Sequence, residues 1–146
     1  MRNRLMWIGT IIGGLTISTI GLVGYQPTGQ APATPAGWIL GEDADEKKNP
    51  LTADAATLAT GKAVYNSKCA DCHGPAGLGD GPDADPEARA DMDLTNPKRA
   101  GRNPDGVVYY KVLNGRRRPK MPAFKGELTE QQIWSVVTYA QSLRKK

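Results

Sequence analysis

Read for its apolar and polar positions, the chain falls into an uncharged front, a polar middle and a helical body. Leu5 to Gly24 carry no charge over 20 residues, and a helix needs about 20 to cross a bilayer. Residues 26–37 hold three prolines and read as an extended, semi-rigid spacer. Trp38-Ile39-Leu40 is a short apolar patch before the acidic cluster Glu42–Glu46, a lead-in expected to lean on the body. A first helix is predicted over about 52–70 with Thr52 as its N-cap. Residues 74–103 are rich in Gly, Pro, Asp and Asn and predict a loop with a short turn near Pro86–Asp91. Asp105 is expected to cap a second helix, Gly106–Leu113, that buries Val107, Tyr110, Val112 and Leu113 and ends at Asn114-Gly115. A third helix is predicted over about 130–144. Thr129 caps it, Gln132 completes a capping box, and Leu128 and Ile133 can form a hydrophobic staple. No strand signal of useful length appears. The expected class is all-α, with three main helices in a body of residues 51–146, a linker and lead-in over 26–50, and an N-terminal helix over 1–25.

Arg2 and Arg4 precede the uncharged span, which keeps the N-terminus in the cytoplasm and sends the remainder across the membrane. A cleavable signal has a shorter apolar region of about 7–15 residues, so a retained transmembrane anchor is the expectation. Ala31-Pro-Ala33 and Thr34-Pro-Ala36 are the alternative cleavage points, and removal there would leave a soluble periplasmic protein. No cysteine lies near them, which excludes a lipoprotein anchor. Gly9 and Gly13 have the spacing that lets membrane helices approach closely.

Residues 69–73 read Cys-Ala-Asp-Cys-His and carry the most specific chemistry in the chain. Two thiols three apart, followed directly by an imidazole, form the attachment signature of a c-type haem. Cys69 and Cys72 can each form a thioether to a haem vinyl group, and His73 then supplies the proximal nitrogen to the iron. These are the chain's only cysteines and its only histidine. A structural zinc site wants four such ligands. A thioredoxin-type pair wants a strand–helix context, which is missing. A Cys69–Cys72 disulfide would close a tiny, strained loop and leave His73 without a role.

One histidine rules out bis-histidine ligation within the chain. Of the four methionines, Met1 and Met6 lie in the apolar front. Met92 is flanked by Asp91 and Asp93, which would bring two charges toward the haem at a desolvation cost. Met121 stands between Pro119 and Pro122, which limit its backbone freedom, with Phe124 able to close the pocket. Met121 is therefore the expected second ligand. Lys120 could replace it only when deprotonated.

With these residues in view, the chain resembles the class I cytochromes c over about residues 52–144. That family places a glycine eight, and an aromatic four, residues before the first haem cysteine; Gly61 and Tyr65 match. The segment Ile133 to Leu143 looks like its closing helix. The resemblance implies that Gly61 and Tyr65 pack against Val136 and Tyr139. It also implies that the carbonyl of Pro82, in Gly81-Pro82, accepts the hydrogen bond from the ligand imidazole. It further implies a single covalent haem c, attached outside the bacterial cytoplasmic membrane, so the haem domain faces the periplasm.

Charge refines this picture. From Lys98 to Lys125 nine basic residues stand against Asp105 alone, while from Asp71 to Asp93 seven acids stand against Arg89. The basic half contains Met121. A basic rim at an exposed haem edge would steer docking onto an acidic redox partner. Asp80–Asp85 lacks the ligand order of a calcium loop. Nucleic acid is a poor partner for an exported haem protein. No catalytic triad, carboxylate pair or phosphate loop stands out, so no independent enzyme activity is expected. The expected function is one-electron transfer between membrane redox complexes through a His73/Met121-ligated haem. The alternatives are a haem subunit fixed in a larger complex (quinol-oxidising complex, terminal oxidase, dehydrogenase or photosynthetic reaction centre) and a ligand-binding or peroxidatic haem protein.

Overall fold

The computed structural model describes residues 37–144. The predicted N-terminal anchor, most of the proline-rich linker and the last two lysines lie outside them. Among the described residues no helix is long and apolar enough to cross a membrane, and no strand forms beyond isolated bridges.

Two helices carry the frame. α1 spans Ala55–Lys68 and α6 spans Glu130–Ser142. The start of α6 follows the sequence closely. Thr129 Oγ1 accepts from the Gln132 N–H at 3.2 Å, and Gln132 Oε1 accepts from the Thr129 N–H at 2.9 Å, so each side chain satisfies the other residue's orphan N–H. The start of α1 differs from expectation. Asp54, not Thr52, caps it and accepts from the Thr57 N–H at 2.8 Å. A carboxylate satisfies that donor and also meets the positive end of the helix.

The helices cross where Gly61 removes a side chain. A Cβ there would lie 2.8 Å from the Ser135 carbonyl carbon and 2.9 Å from Tyr139 Cβ. One turn later the rings of Tyr65 and Tyr139 lie 5.2 Å apart, as the family resemblance implied. Val136 belongs to the same buried cluster. Tyr65, Ile133 and Val137 are at most 1% exposed, and each buried side chain of this size stabilises by about 1.5–3 kcal/mol.

α5, Asp105–Asn114, closes the core. Its cap is Pro104, and Asp105 lies inside the first turn, accepting from Gln141 Nε2 at 2.8 Å. The buried face is Val107, Tyr109 and Val112, so Tyr109 takes the place expected for Tyr110. Tyr109 stacks on Trp134 with centroids 4.3 Å apart, while Tyr110 is half-buried at the edge of the core and donates to Asp43 Oδ1 at 2.6 Å. Leu113 is only half-buried. The segment between α1 and α5 holds α2 (Ala70–His73), a 3₁₀ turn (Pro86–Ala88), α3 (Arg89–Met92) and α4 (Pro97–Ala100).

Candidate haem site

α1 runs directly into the cysteine pentapeptide. The Cys69 N–H still donates to Tyr65 O at 2.8 Å, and α2 then turns the chain, with the His73 N–H donating to Cys69 O at 2.9 Å. No disulfide joins Cys69 to Cys72. Burial pushes the Cys69 thiol up to about 12, and burial also raises Cys72, helped by the nearby charges of Asp83 and Asp71. Behind this turn sits Gly81, where a Cβ would meet Ala70 O and the Asp71 carbonyl carbon, each at 2.5 Å. The Asp83 N–H donates to Asp71 O at 2.8 Å. The Gly81–Asp83 turn therefore braces the backbone that carries the thiols.

This arrangement corrects the role expected for Pro82. His73 Nδ1–H donates to the Met92 carbonyl at 2.7 Å, while Pro82 is exposed. The brace holds Pro82 on the outer side of the cysteine turn, and the short helix ending at Met92 is the backbone that reaches the ring. The Leu94 N–H donates to Gly77 O at 2.7 Å and fixes that approach. A proton on Nδ1 leaves the lone pair on Nε2, the form a metal binds. Burial lowers the pKa of His73, which favours the neutral ring.

Met121 is half-buried in a closed loop. Its N–H donates to Arg116 O and its carbonyl accepts from the Arg116 N–H, both at 2.9 Å. The Phe124 N–H donates to Val112 O at 3.1 Å, tying the loop to α5. Cys69, His73 and Met121 line one cleft, and a neighbouring cavity adds Cys72, Met92, Pro122 and Phe124. The Met92 backbone lies behind His73, on the side of Nδ1.

The cleft has an apolar wall and a cationic wall. Tyr65, Leu94, Val108, Val112 and Val136 form the first. Arg99, Lys111, Arg116 and Arg144 stand on the second, with Asp91 and Asp93. Asp91 Oδ1 takes Arg99 Nη2 at 2.5 Å and its Oδ2 takes Arg116 Nη2 at 3.5 Å. Lys111 bonds Asn103, yet burial, with repulsion from Arg99 and Arg116, holds its pKa down at about 8. Gln141 lines the same end, and its buried Oε1 has no partner among the described residues. A surplus of half-buried cations calls for anions. A flat apolar macrocycle with two carboxylates fits both walls, and the two thiols and neutral imidazole match its attachment chemistry.

Sequence reasoning treated the basic run as an outer rim. Six of its nine residues are exposed, but Arg99, Lys111 and Arg116 face the cleft. Lys111 follows Val107 and Val108 by four and three residues, so helical spacing alone puts it on an apolar face. Trp38, Arg144 and the Met92 carbonyl were also missed, and only tertiary contacts bring them to the site.

Residues 56–139 match a family model described as cytochrome C oxidase, cbb3-type, subunit III. The chain is 33% identical over 84 residues to cytochrome c6 of Parathermosynechococcus lividus, covering 58% of this chain and 87% of that protein. It is 36% identical over 84 residues to cytochrome c6 of Chlorolobion braunii, covering 58% and 88%. Among solved structures it is similar to the Kuenenia stuttgartiensis reducing HAO-like protein complex Kustc0457/Kustc0458, with a TM-score of 0.55 and 28% identity. That match covers 70% of this chain and only 55% of the other. Fold, attachment peptide and relatives together define a mono-haem class I c-type cytochrome with a covalently bound haem c. Within that class, the chain belongs to the cytochrome c family of the cbb3-type subunit III domain.

Proposed function

We propose that this protein is a one-electron carrier whose iron is held by His73 Nε2 on one side and Met121 sulfur on the other. The observation that carries this reading is the meeting of Cys69, His73 and Met121 in one cleft, with the Met92 backbone behind the imidazole. The bound haem supplies the one-electron chemistry. The protein supplies attachment, orientation and charge. Cys69 and Cys72 fix the macrocycle. The Met92 carbonyl holds the imidazole plane and strengthens its donor character. Arg99, Lys111, Arg116 and Arg144, which line the cleft, would balance the carboxylates of the haem. A thioether ligand favours the reduced iron and raises the potential. With His73 and Met121 both holding the iron, no position would remain open for oxygen or peroxide.

Arg117, Arg118 and Lys120 are exposed beside the Met121 loop. They would steer an acidic redox partner onto the haem edge, with an encounter rate that falls as salt rises. The uncharged segment Leu5–Gly24 would tether the domain to the periplasmic face of the cytoplasmic membrane. The family description supports a second reading, a haem subunit fixed in a larger membrane assembly. Extraction in mild detergent separates the two, since a fixed subunit copurifies with its assembly and a carrier does not. The test of the main reading is intact mass with a redox titration. One haem per chain and a single one-electron wave are expected. A mass without haem would overturn it.

A further inference from the structure

The family match begins at residue 56, yet the site has a wall that comes from before it. Residues 38–49 run antiparallel along α5 and are fastened at successive points. Asn114 Nδ2 donates to Ile39 O at 2.7 Å, and Tyr110 Oη donates to Asp43 Oδ1 at 2.6 Å. Ala44 is 4% exposed against the start of α5, where a Cβ on Gly106 would lie 2.8 Å from Lys47 O. Asn49 Nδ2 then donates to Thr138 Oγ1 at 2.8 Å on α6. Because the strap begins at the Asn114 end of α5, Trp38 lands beside the Arg116–Met121 loop. It lines both cavities, together with Cys69, His73, Arg116 and Met121. Arg116 Cζ lies 4.5 Å and Lys111 Nζ 4.9 Å from its ring centroid.

We propose that Trp38, delivered by the strap, is a positioning residue of the haem site that excludes water from its Met121 side and holds Arg116 and Lys111 against the cleft. Resting on the haem reading above, this makes the lead-in part of the redox machinery and not merely a spacer. The physical argument concerns charge. Oxidised iron carries one more positive charge than reduced iron, and that charge is better solvated when water reaches the haem. A large indole between solvent and the cleft therefore favours the reduced state and raises the potential. The indole face also attracts two cations that would otherwise repel each other.

The test compares the full-length holoprotein with Trp38→Ala, Trp38→Phe and the pair Tyr110→Phe/Asn114→Ala, which unfastens the strap and keeps the indole. Trp38→Ala should retain haem and the sulfur–iron band but favour oxidation about tenfold more, a fall of about 59 mV for one electron. Trp38→Phe should recover most of that fall, and the paired variant should shift in the same direction as Trp38→Ala. A wild-type potential in both Trp38→Ala and the paired variant, with only a lower melting temperature, would make the strap structural and sink the proposal. Absence of haem from the wild-type chain would instead sink the electron-carrier reading.

Discussion

Gly61→Ala measures how closely α1 and α6 must approach. The added Cβ would lie 2.8 Å from the Ser135 carbonyl carbon, whereas ordinary carbon contacts begin near 3.5 Å. The Ser135 carbonyl oxygen lies closer still, so the crossing must open by more than about 0.7 Å, and because these atoms belong to backbone no side chain can rotate out of the way. Overpacking of this kind costs about 1–3 kcal/mol, with backbone clashes at the upper end. Alanine returns about 1 kcal/mol of helix propensity over glycine. The net loss is about 2 kcal/mol, and at 4–8 °C per kcal/mol for a domain near this size the melting temperature should fall by about 8–16 °C. Thermal unfolding of the holoprotein, followed by far-UV dichroism, reads this directly. An unchanged or raised midpoint would mean that propensity wins and that the crossing is not tight, refuting the packing argument.

Other outcomes follow from the same contacts. Tyr65 Oη donates to Gly74 O at 2.7 Å in a buried site, so Tyr65→Phe should cost about 1–3 kcal/mol in chemical denaturation. Burial raises the Tyr65 pKa above its ordinary 10.0; the unfolded chain therefore loses this proton first, and the stability it provides is present below pH 10 and declines above it. The Phe variant should show a shallower alkaline decline, and an identical slope would contradict the assignment. Arg117→Ala/Arg118→Ala/Lys120→Ala should slow stopped-flow electron transfer to an acidic redox protein and flatten its salt dependence, while the rate with a neutral reductant changes far less. Equal salt slopes would argue against a basic docking rim.

Much of this was legible in local sequence. The Thr129–Gln132 box, the Gly61–Tyr65 spacing and the Cys69–His73 pentapeptide each encode their own geometry within a few residues. The misreadings arose where distant contacts decide. Tyr109 and Tyr110 are adjacent and equally apolar, and stacking on Trp134 from another helix selects the first. Pro82 and Met92 both offer a carbonyl near His73 in sequence, but the Gly81–Asp83 turn is committed to the cysteine backbone. Lys111 and Arg117 look alike in composition, yet one stands on an apolar helix face and the other in an exposed loop. Trp38 had no local reason to reach a site more than thirty residues away; Asn114 and Tyr110 bring it there.

The central claim is that Met121 sulfur closes the site opposite His73, and the absorption of the oxidised protein tests it most directly. The account predicts a sulfur-to-ferric-iron charge-transfer band that vanishes in Met121→Ala, with a lower potential, and that persists in Met92→Ala. Loss of the band in Met92→Ala but not in Met121→Ala, or its absence from the wild-type protein, would contradict it.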